Sequence, residues 1–330
     1  MDDALLQLKG LSVAFNDDSG LVEVVSSVNL EVYPGETVGI VGESGCGKSV
    51  TSLAAMGLIP SPPGKITGGE IWFNGRNLLR EHPSSWRNIR GREMAMIFQE
   101  PMSSLDPAFT VGSQVDEAIL FHESIPKGEA RARSIELLQA VGIPKPEHRY
   151  NEYPHHLSGG MRQRVMTAMA LACSPKLIIA DEPTTALDVT MQAQILEMLK
   201  ELRTKINTSI LLITHDMGVV AEMCERVVVM YAGQVVESAS CLDLFDRTAH
   251  PYTRGLLKSI PGMSGSQTRL YSIAGNVPAP GSMPPGCRFE PRCQYAIEQC
   301  RRETPVLRQI GPHHSVRCWQ DGFGESGEEA

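Results

Sequence analysis

No run of the chain approaches 18 consecutive apolar residues, so no helix in it is expected to span a bilayer. Basic residues are in the minority: 30 Lys and Arg against 38 Asp and Glu leave a formal net charge of −8. That balance provides no basic footprint for nucleic acid, and none is expected as a partner. The first residues, Met1-Asp2-Asp3-Ala4, carry acid where a secretory signal needs base, which predicts a cytosolic protein. No internal repeat is evident. The eight cysteines show no paired C-x2-C spacing, and in a cytosolic setting they should be reduced, metal-bound or simply buried. At 330 residues and 42% hydrophobic content, the chain can fill one large domain or a main domain with an appendage.

What is present, first of all, is a glycine loop between a strand and a helix. Gly42 to Ser49 reads Gly-Glu-Ser-Gly-Cys-Gly-Lys-Ser, which fits the phosphate-binding pattern G-x-x-x-x-G-K-[ST]. Glycines let the backbone curl until successive N–H groups point inward at an anion. The helix that follows aims its positive dipole end at the same place. The preceding stretch Glu36 to Val41 reads as a short buried strand and Val50 to Leu58 as an apolar helix. Gly42, Ser44, Gly45, Cys46, Gly47, Lys48, Ser49 and Val50 are therefore the expected nucleotide contacts. Lys48 is assigned to the β- and γ-phosphates and the Ser49 hydroxyl to Mg²⁺.

Alternating residues from 5 to 33 suggest early strands closed at Pro34-Gly35, and Gly69 to Phe73 runs into an Asn74-Gly75 turn. Ala95 to Phe98, Leu177 to Ala180 and Ile210 to Thr214 read as buried strands. Helical spacing appears at Lys127 to Val141 and at Met191 to Ile206, where Ile195, Leu199, Leu202 and Ile206 share a face. Val227 to Tyr231 and Gln234 to Glu237 form an expected hairpin at Ala232-Gly233. Strands alternating with helices predict an α/β fold with a largely parallel sheet. A helical insertion is expected at about 100–172, and a Pro-, Gly- and Ser-rich appendage after about His250. The expected domains are 1–250 and 251–330, with an acidic, disordered tail from Gly322 to Ala330.

The strand Leu177 to Ala180 ends in Asp181-Glu182, where parallel strands present their carboxyl ends to ligands. Asp181 fits a Mg²⁺ ligand and Glu182 the base that orients or deprotonates water. His215, after a third core strand, can hydrogen-bond a γ-phosphate oxygen or the water, and Gln99 offers a neutral amide to Mg²⁺ or the water. Asp188 follows in Ala186-Leu187-Asp188. Leu157-Ser158-Gly159-Gly160-Met161 precedes a helix and is a second anion-binding N-terminus. Two cradles and one phosphate loop suggest two subunits clasping nucleotide between them.

Gly42–Ser49, Gln99, Leu157–Met161, Asp181-Glu182, Asp188 and His215, in that order, resemble an ATP-binding-cassette ATPase over residues 5 to 240. The resemblance implies a P-loop ATPase fold, with a RecA-like core, an antiparallel β subdomain and a helical subdomain. It implies Mg-ATP as substrate and a head-to-tail dimer in which Ser158, Gly159, Gly160 and Asp188 also serve nucleotide. It places Phe15 as an aromatic stacked on adenine, where the plain reading is a core phenylalanine. Met161 departs from the family's usual Gln after Gly160. A lone cassette suits an importer subunit at the cytoplasmic face of the membrane, docked on separate permeases. Met102, Leu105 and Phe109 are candidate permease contacts, with core packing as the competing reading.

Further on, His250-Pro251-Tyr252-Thr253-Arg254-Gly255-Leu256-Leu257, the Pro-rich run Gly275 to Pro285, Gly286-Cys287-Arg288-Phe289 and Pro291-Arg292-Cys293 resemble the C-terminal region of dipeptide and oligopeptide permease ATPases. That resemblance implies peptide import, powered by two ATPase chains (here expected to differ), two transmembrane permease subunits and, indirectly, an extracytoplasmic binding protein. The same subfamily serves nickel and other small solutes, and a soluble non-transport ATPase is the rival from another class. Cys287, Cys293, Cys300 and Cys318 can staple this polar segment through Zn²⁺ or a [4Fe–4S] cluster, with His313 and His314 as substitute zinc ligands. The resemblance favours the cluster, with Arg288, Arg292, Arg301 and Arg317 offsetting its charge. Cys46, Cys173, Cys224 and Cys241 are expected as small buried fillers.

Overall fold

The fold is that of a computed structural model describing residues 4–18, 20–100, 104–185, 188–260 and 271–320. Met102, Ala186, Leu187 and the Gly322–Ala330 tail therefore lie outside the described residues. The strands are β1 (Leu6–Asp17), β2 (Gly20–Val32), β3 (Thr37–Val41), β4 (Gly64–Phe73), β5 (Arg76–Asn77), β6 (Met94–Ile97), β7 (Leu177–Asp181), β8 (Ser209–Thr214), β9 (Arg226–Tyr231), β10 (Gln234–Ser240), β11 (Arg308–Gly311) and β12 (His314–Val316). The chain forms two compact units. One comprises Met1–Leu5, Val32–Glu36 and Phe73–Ile213, the other Leu6–Glu31, Thr37–Trp72 and Thr214–Ala330.

In the first unit, β6, β7 and β8 pair in parallel, with Ile97 opposite Ala180 and Asp181 opposite Ile213. β6 and β7 are buried throughout, which explains why they read as unbroken apolar runs and not as alternation. The helices Val111–Leu120, Lys127–Ala140 and Gly159–Leu171 make up the expected helical segment. Thr110 caps the first of them by accepting from the Ser113 N–H. Asp116 ties it to its neighbours, accepting from the Ser134 hydroxyl at 2.5 Å and from the Tyr150 hydroxyl. Leu105 is buried and belongs to the core, whereas Phe109 is 57% exposed. The helix Val189–Ile206 buries Ile195, Leu199 and Leu202 as the periodicity requires.

In the second unit, β9 pairs in parallel with β3 and antiparallel with β10, the hairpin turning at Ala232 and Gly233, both with positive φ. The region after residue 250 contains more regular structure than its composition suggests. β12 pairs with β10 and β11 with β12, so this region extends the sheet. The helix Pro251–Lys258 reads as loop because it carries Pro and Gly. Pro251, however, sits in the first turn, where its missing N–H costs nothing, and His250 Nδ1 accepts from the Tyr252 N–H. Gly255 lets Ile273 pack closely, since a Cβ there would meet Ile273 Cγ1 at 2.7 Å.

Candidate functional site

Fully buried β3 delivers the glycine loop, and the helix Lys48–Ala55 leaves it. Gly42, Gly45 and Gly47 all have positive φ, at 153°, 79° and 100°. Gly42 admits no side chain, because a Cβ would stand 2.2 Å from the Met230 carbonyl oxygen. The far side of the loop is tied to the hairpin by the Gly233 N–H, which donates to the Cys46 carbonyl at 2.9 Å. Lys48 is 5% exposed, and its Nζ donates to the carbonyls of Gly42 at 2.7 Å and Glu43 at 3.0 Å. The ammonium is thus already anchored against the loop. Cys46 is buried, and burial pushes its thiol pKa up, so it fills space as expected. Ser44 and Gly45 are exposed, and Ser49 and Val50 are half-buried. Phe15 is half-buried, in a place where a Cβ on Gly64 would meet its ring at 2.8 Å. His215 follows β8 and is exposed, and its neighbour Asp216 caps the helix Met217–Met223.

The first unit places Gln99 just beyond β6 and Asp181 at the end of β7, 5% exposed. Glu182 Oε2 accepts from Gln99 Nε2 at 3.0 Å and from Thr185 Oγ1 at 2.8 Å. Its backbone N–H donates to the Ile213 carbonyl at 2.9 Å. Its φ of +46° lies in the left-handed region, uncommon for a residue with a side chain. The sequence reading missed Thr185, although its place three residues after Glu182 is a local turn signal.

Ser158 and Asp188 are helix caps in this structure. Ser158 Oγ accepts from the Met161 N–H at 3.4 Å, and Asp188 Oδ1 from the Met191 N–H at 2.9 Å. The Ser158 cap uses the backbone of residue 161, so Met in place of Gln leaves it intact. A Cβ on Gly160 would meet the end of Met191 at 2.1 Å, while Gly159 faces open space. Gln163 Nε2, buried in the same helix, has no hydrogen-bond partner among the described residues, and nothing in the sequence signals this.

In the C-terminal region, Cys287, Cys293, Cys300 and Cys318 all line one small cavity, together with His250, Phe289, Tyr295 and Trp319. Gly286 lets two of the cysteine segments touch: a Cβ there would stand 2.1 Å from the Cys300 carbonyl, which accepts from the Cys287 N–H at 2.7 Å. Burial pushes the Cys287 and Cys293 thiols up to about 11, and the neighbouring cysteines add to the shift. None of the eight cysteines is in a disulfide. Among the described residues, no three His, Cys, Asp or Glu side chains are grouped so as to hold a single metal ion. His314 does not line that cavity, and its Nε2 pairs with buried Glu237 at 2.9 Å. The arginines expected to offset cluster charge have hydrogen-bond or ion-pair partners of their own, and Arg317 also interacts electrostatically with Cys287. Arg288 donates to the Ala232 carbonyl and Arg317 to the Val235 carbonyl, while Arg292 pairs with Glu43 and Arg301 with Glu290. Cys173 and Cys241 are only half-buried, unlike Cys46 and Cys224.

The ABC transporter family profile matches residues 25–185, and the profile for the oligopeptide/dipeptide transporter C-terminal region matches residues 236–300. The chain is 51% identical over 325 residues to the oligopeptide transport ATP-binding protein AppD of Bacillus subtilis, covering 98% of each chain. It is 51% identical over 315 residues to the dipeptide transport ATP-binding protein DppD of Escherichia coli, covering 96% of each. A dimeric ATP-binding cassette solved in a post-hydrolysis state with ADP and Pi superimposes with a TM-score of 0.64 at 28% identity, covering 72% of this chain and 98% of that one. CbiO1 from Clostridium perfringens, part of an ABC transporter complex, gives 0.63 at 27% identity, covering 74% and 91%. The two profiles span the glycine loop, the Asp181-Glu182 strand end and Cys287, Cys293 and Cys300 of the cysteine cavity. The chain therefore belongs to the ABC transporter ATPases, ATP-hydrolysing P-loop cassettes, and to the branch with an oligopeptide/dipeptide transporter C-terminal region.

Proposed function

We propose that the chain is the ATP-hydrolysing subunit of an importer for dipeptides or oligopeptides, energising separate permease subunits from the cytoplasmic face of the membrane. The observation that carries the cargo class is the C-terminal region, residues 236–300, shared with relatives named for dipeptide and oligopeptide transport. Among the described residues no helix is long and apolar enough to cross a membrane, so the translocation path is assigned to two partner permeases. A second ATPase chain, different from this one, completes a head-to-tail dimer, and an extracytoplasmic binding protein delivers the peptide. Residues 1–250 form the cassette, with its helical insertion at about 100–172, and 251–330 the C-terminal region.

Lys48 and the loop amides from Gly42 to Val50 hold the phosphates, and Phe15 meets the adenine. Ser49, Gln99 and Asp181 supply oxygen donors of the hard type that Mg²⁺ prefers. Bound Mg²⁺ offsets the charge that develops on the phosphate oxygens. Glu182 takes the proton of the attacking water, Gln99 and Thr185 hold its carboxylate, and His215 contacts the γ-phosphate. Ser158, Gly159, Gly160 and Asp188 serve the nucleotide of the dimer partner.

The cysteine cavity is assigned to a [4Fe–4S] cluster in preference to Zn²⁺. A cluster takes one thiolate on each of four irons, which suits cysteines distributed around a shared cavity. Iron and acid-labile sulfide on protein purified without oxygen test this, and one zinc without sulfide would reverse the choice. For the function itself, uptake of labelled dipeptide is compared in cells with and without the chain. Loss of uptake, restored by the native chain and not by Glu182→Gln, is expected. Unchanged peptide uptake, with loss of nickel uptake instead, would overturn the peptide assignment.

A further inference from the structure

Outside the nucleotide-binding residues, the most constrained charged group near the glycine loop is Arg292. Its side chain is 4% exposed, and its fork meets both carboxylate oxygens of Glu43, Nη1 to Oε2 at 2.9 Å and Nη2 to Oε1 at 3.1 Å. The other guanidinium contacts are also fixed: Nε donates to the Ala274 carbonyl at 2.9 Å and Nη2 to the Ile273 carbonyl at 3.3 Å. Glu43 is the second residue of the glycine loop, and each of its polar groups is held. Its N–H donates to the Tyr252 hydroxyl at 2.8 Å, and its carbonyl accepts from Lys48 Nζ at 3.0 Å and from the Cys46 N–H at 3.3 Å. Tyr252 is buried against Tyr231 and Phe289, ring centroids 4.7 and 5.5 Å away.

We propose that Arg292 is a positioning residue for nucleotide binding, acting through Glu43; this rests on the reading of residues 42–49 as the phosphate loop. A carboxylate inside a loop that must receive a polyanion is a liability in two ways. It repels the phosphates, and it competes with them for the Lys48 ammonium, which already bonds the carbonyl of the same residue. Arg292 counters both effects by taking up the carboxylate in a two-pronged pair, and is itself held by the Ala274 and Ile273 carbonyls of the C-terminal region. The C-terminal region thereby sets the affinity of the loop for ATP without touching nucleotide itself. A lysine would keep the charge and lose the fork.

The test is ATP affinity of the full chain, read by displacement of a fluorescent ATP analogue in the presence of Mg²⁺, with thermal midpoints recorded alongside. Arg292→Gln frees the Glu43 carboxylate and is expected to weaken ATP binding about tenfold, as loss of a charge-assisted pair implies. Glu43→Gln together with Arg292→Gln removes the liability and should return the affinity to within about threefold of native, a recovery that a merely structural role for Arg292 does not predict. A double variant as weak as Arg292→Gln overturns the proposal, as does Arg292→Gln binding at native strength. Where Arg292→Gln does not fold, Arg292→Lys is used instead: it keeps the charge and loses the fork, so it should bind about three- to tenfold more weakly than native and recover when Glu43→Gln is added, and no recovery overturns the proposal. The native chain and Lys48→Ala separate this from the underlying reading. A native chain that does not bind ATP, or a Lys48→Ala variant that binds it normally, removes the phosphate-loop assignment instead.

Discussion

Glu182→Gln separates the chemistry of this side chain from its place in the fold. Glu182 Oε2 accepts two hydrogen bonds, from Gln99 Nε2 at 3.0 Å and Thr185 Oγ1 at 2.8 Å. A glutamine can turn its amide oxygen to the same donors, so the loop keeps its bonds and loses only a group able to take a proton. The backbone accepts the exchange, because a φ of +46° constrains Gln and Glu alike. A positioned general base contributes about 10²–10⁴-fold, so kcat for ATP hydrolysis by the assembled transporter should fall by that factor. ATP affinity of the full chain should stay within about twofold, since the loss is confined to the chemical step. Phosphate release measures the first and nucleotide displacement the second. Turnover within threefold of native would remove Glu182 from the base role, and so would a loss located entirely in affinity. Glu182→Gly supplies the control on strain. Relief of the left-handed backbone gains about 1–2 kcal/mol, offset by about 0.5–1 kcal/mol of glycine entropy. Loss of the bonds from Gln99 and Thr185 takes back about 1 kcal/mol each, so that variant should be inactive yet within about 2 kcal/mol of native stability in urea unfolding.

Gly42→Ala forces a Cβ to within 2.2 Å of the Met230 carbonyl oxygen, an atom that cannot rotate aside. A loss of about 3 kcal/mol is expected in urea unfolding, with ATP binding abolished. Glu237→Gln disturbs a buried carboxylate whose Oε1 accepts from the Ala249 N–H and His314 Nε2 and whose Oε2 accepts from the His250 N–H. Either orientation of the amide sets an NH₂ against another donor. The expected cost of about 3 kcal/mol appears as a thermal midpoint lower by about 6–12 °C. Burial holds His250 neutral, with its pKa depressed from 6.5 to about 4. Between those values the unfolded chain binds more protons than the native state, so stability is complete above about pH 6.5 and falls as pH drops toward 4, by about 3 kcal/mol in all. His250→Asn keeps a cap for the Tyr252 N–H and should flatten that slope in urea midpoints taken across pH 4–7.

The strands and helices legible in the sequence were those whose signal is local. β3, the glycine loop and the helix after it are read from one stretch, since burial on both faces, positive φ and a helix start each leave a mark within a few residues. The turn at Ala232-Gly233 and the face of Val189–Ile206 were legible for the same reason. The helix Pro251–Lys258 was not, because Pro and Gly signal a break unless a cap and a neighbouring side chain give them another purpose. β11 and β12, at four and three residues, are too short to carry a period of their own, and pairing with β10 makes them strands. Leu105 and Phe109 could be sorted into core and surface only by burial in the folded unit.

For the site, the sequence by itself carries the proposed chemistry of phosphate binding. A cradle of backbone amides needs only glycines at the right spacing and a lysine after them, all within Gly42–Ser49. It also points to the carboxylate at residue 182 as the proposed base, because a strand ending in acid is a local pattern. Only the tertiary structure decided what holds these groups. Glu43 and Arg292 are 249 residues apart, and no composition or periodicity relates them. Their pairing follows from the packing of the C-terminal helix and turns against the hairpin, a long-range arrangement that no local stretch of chain records.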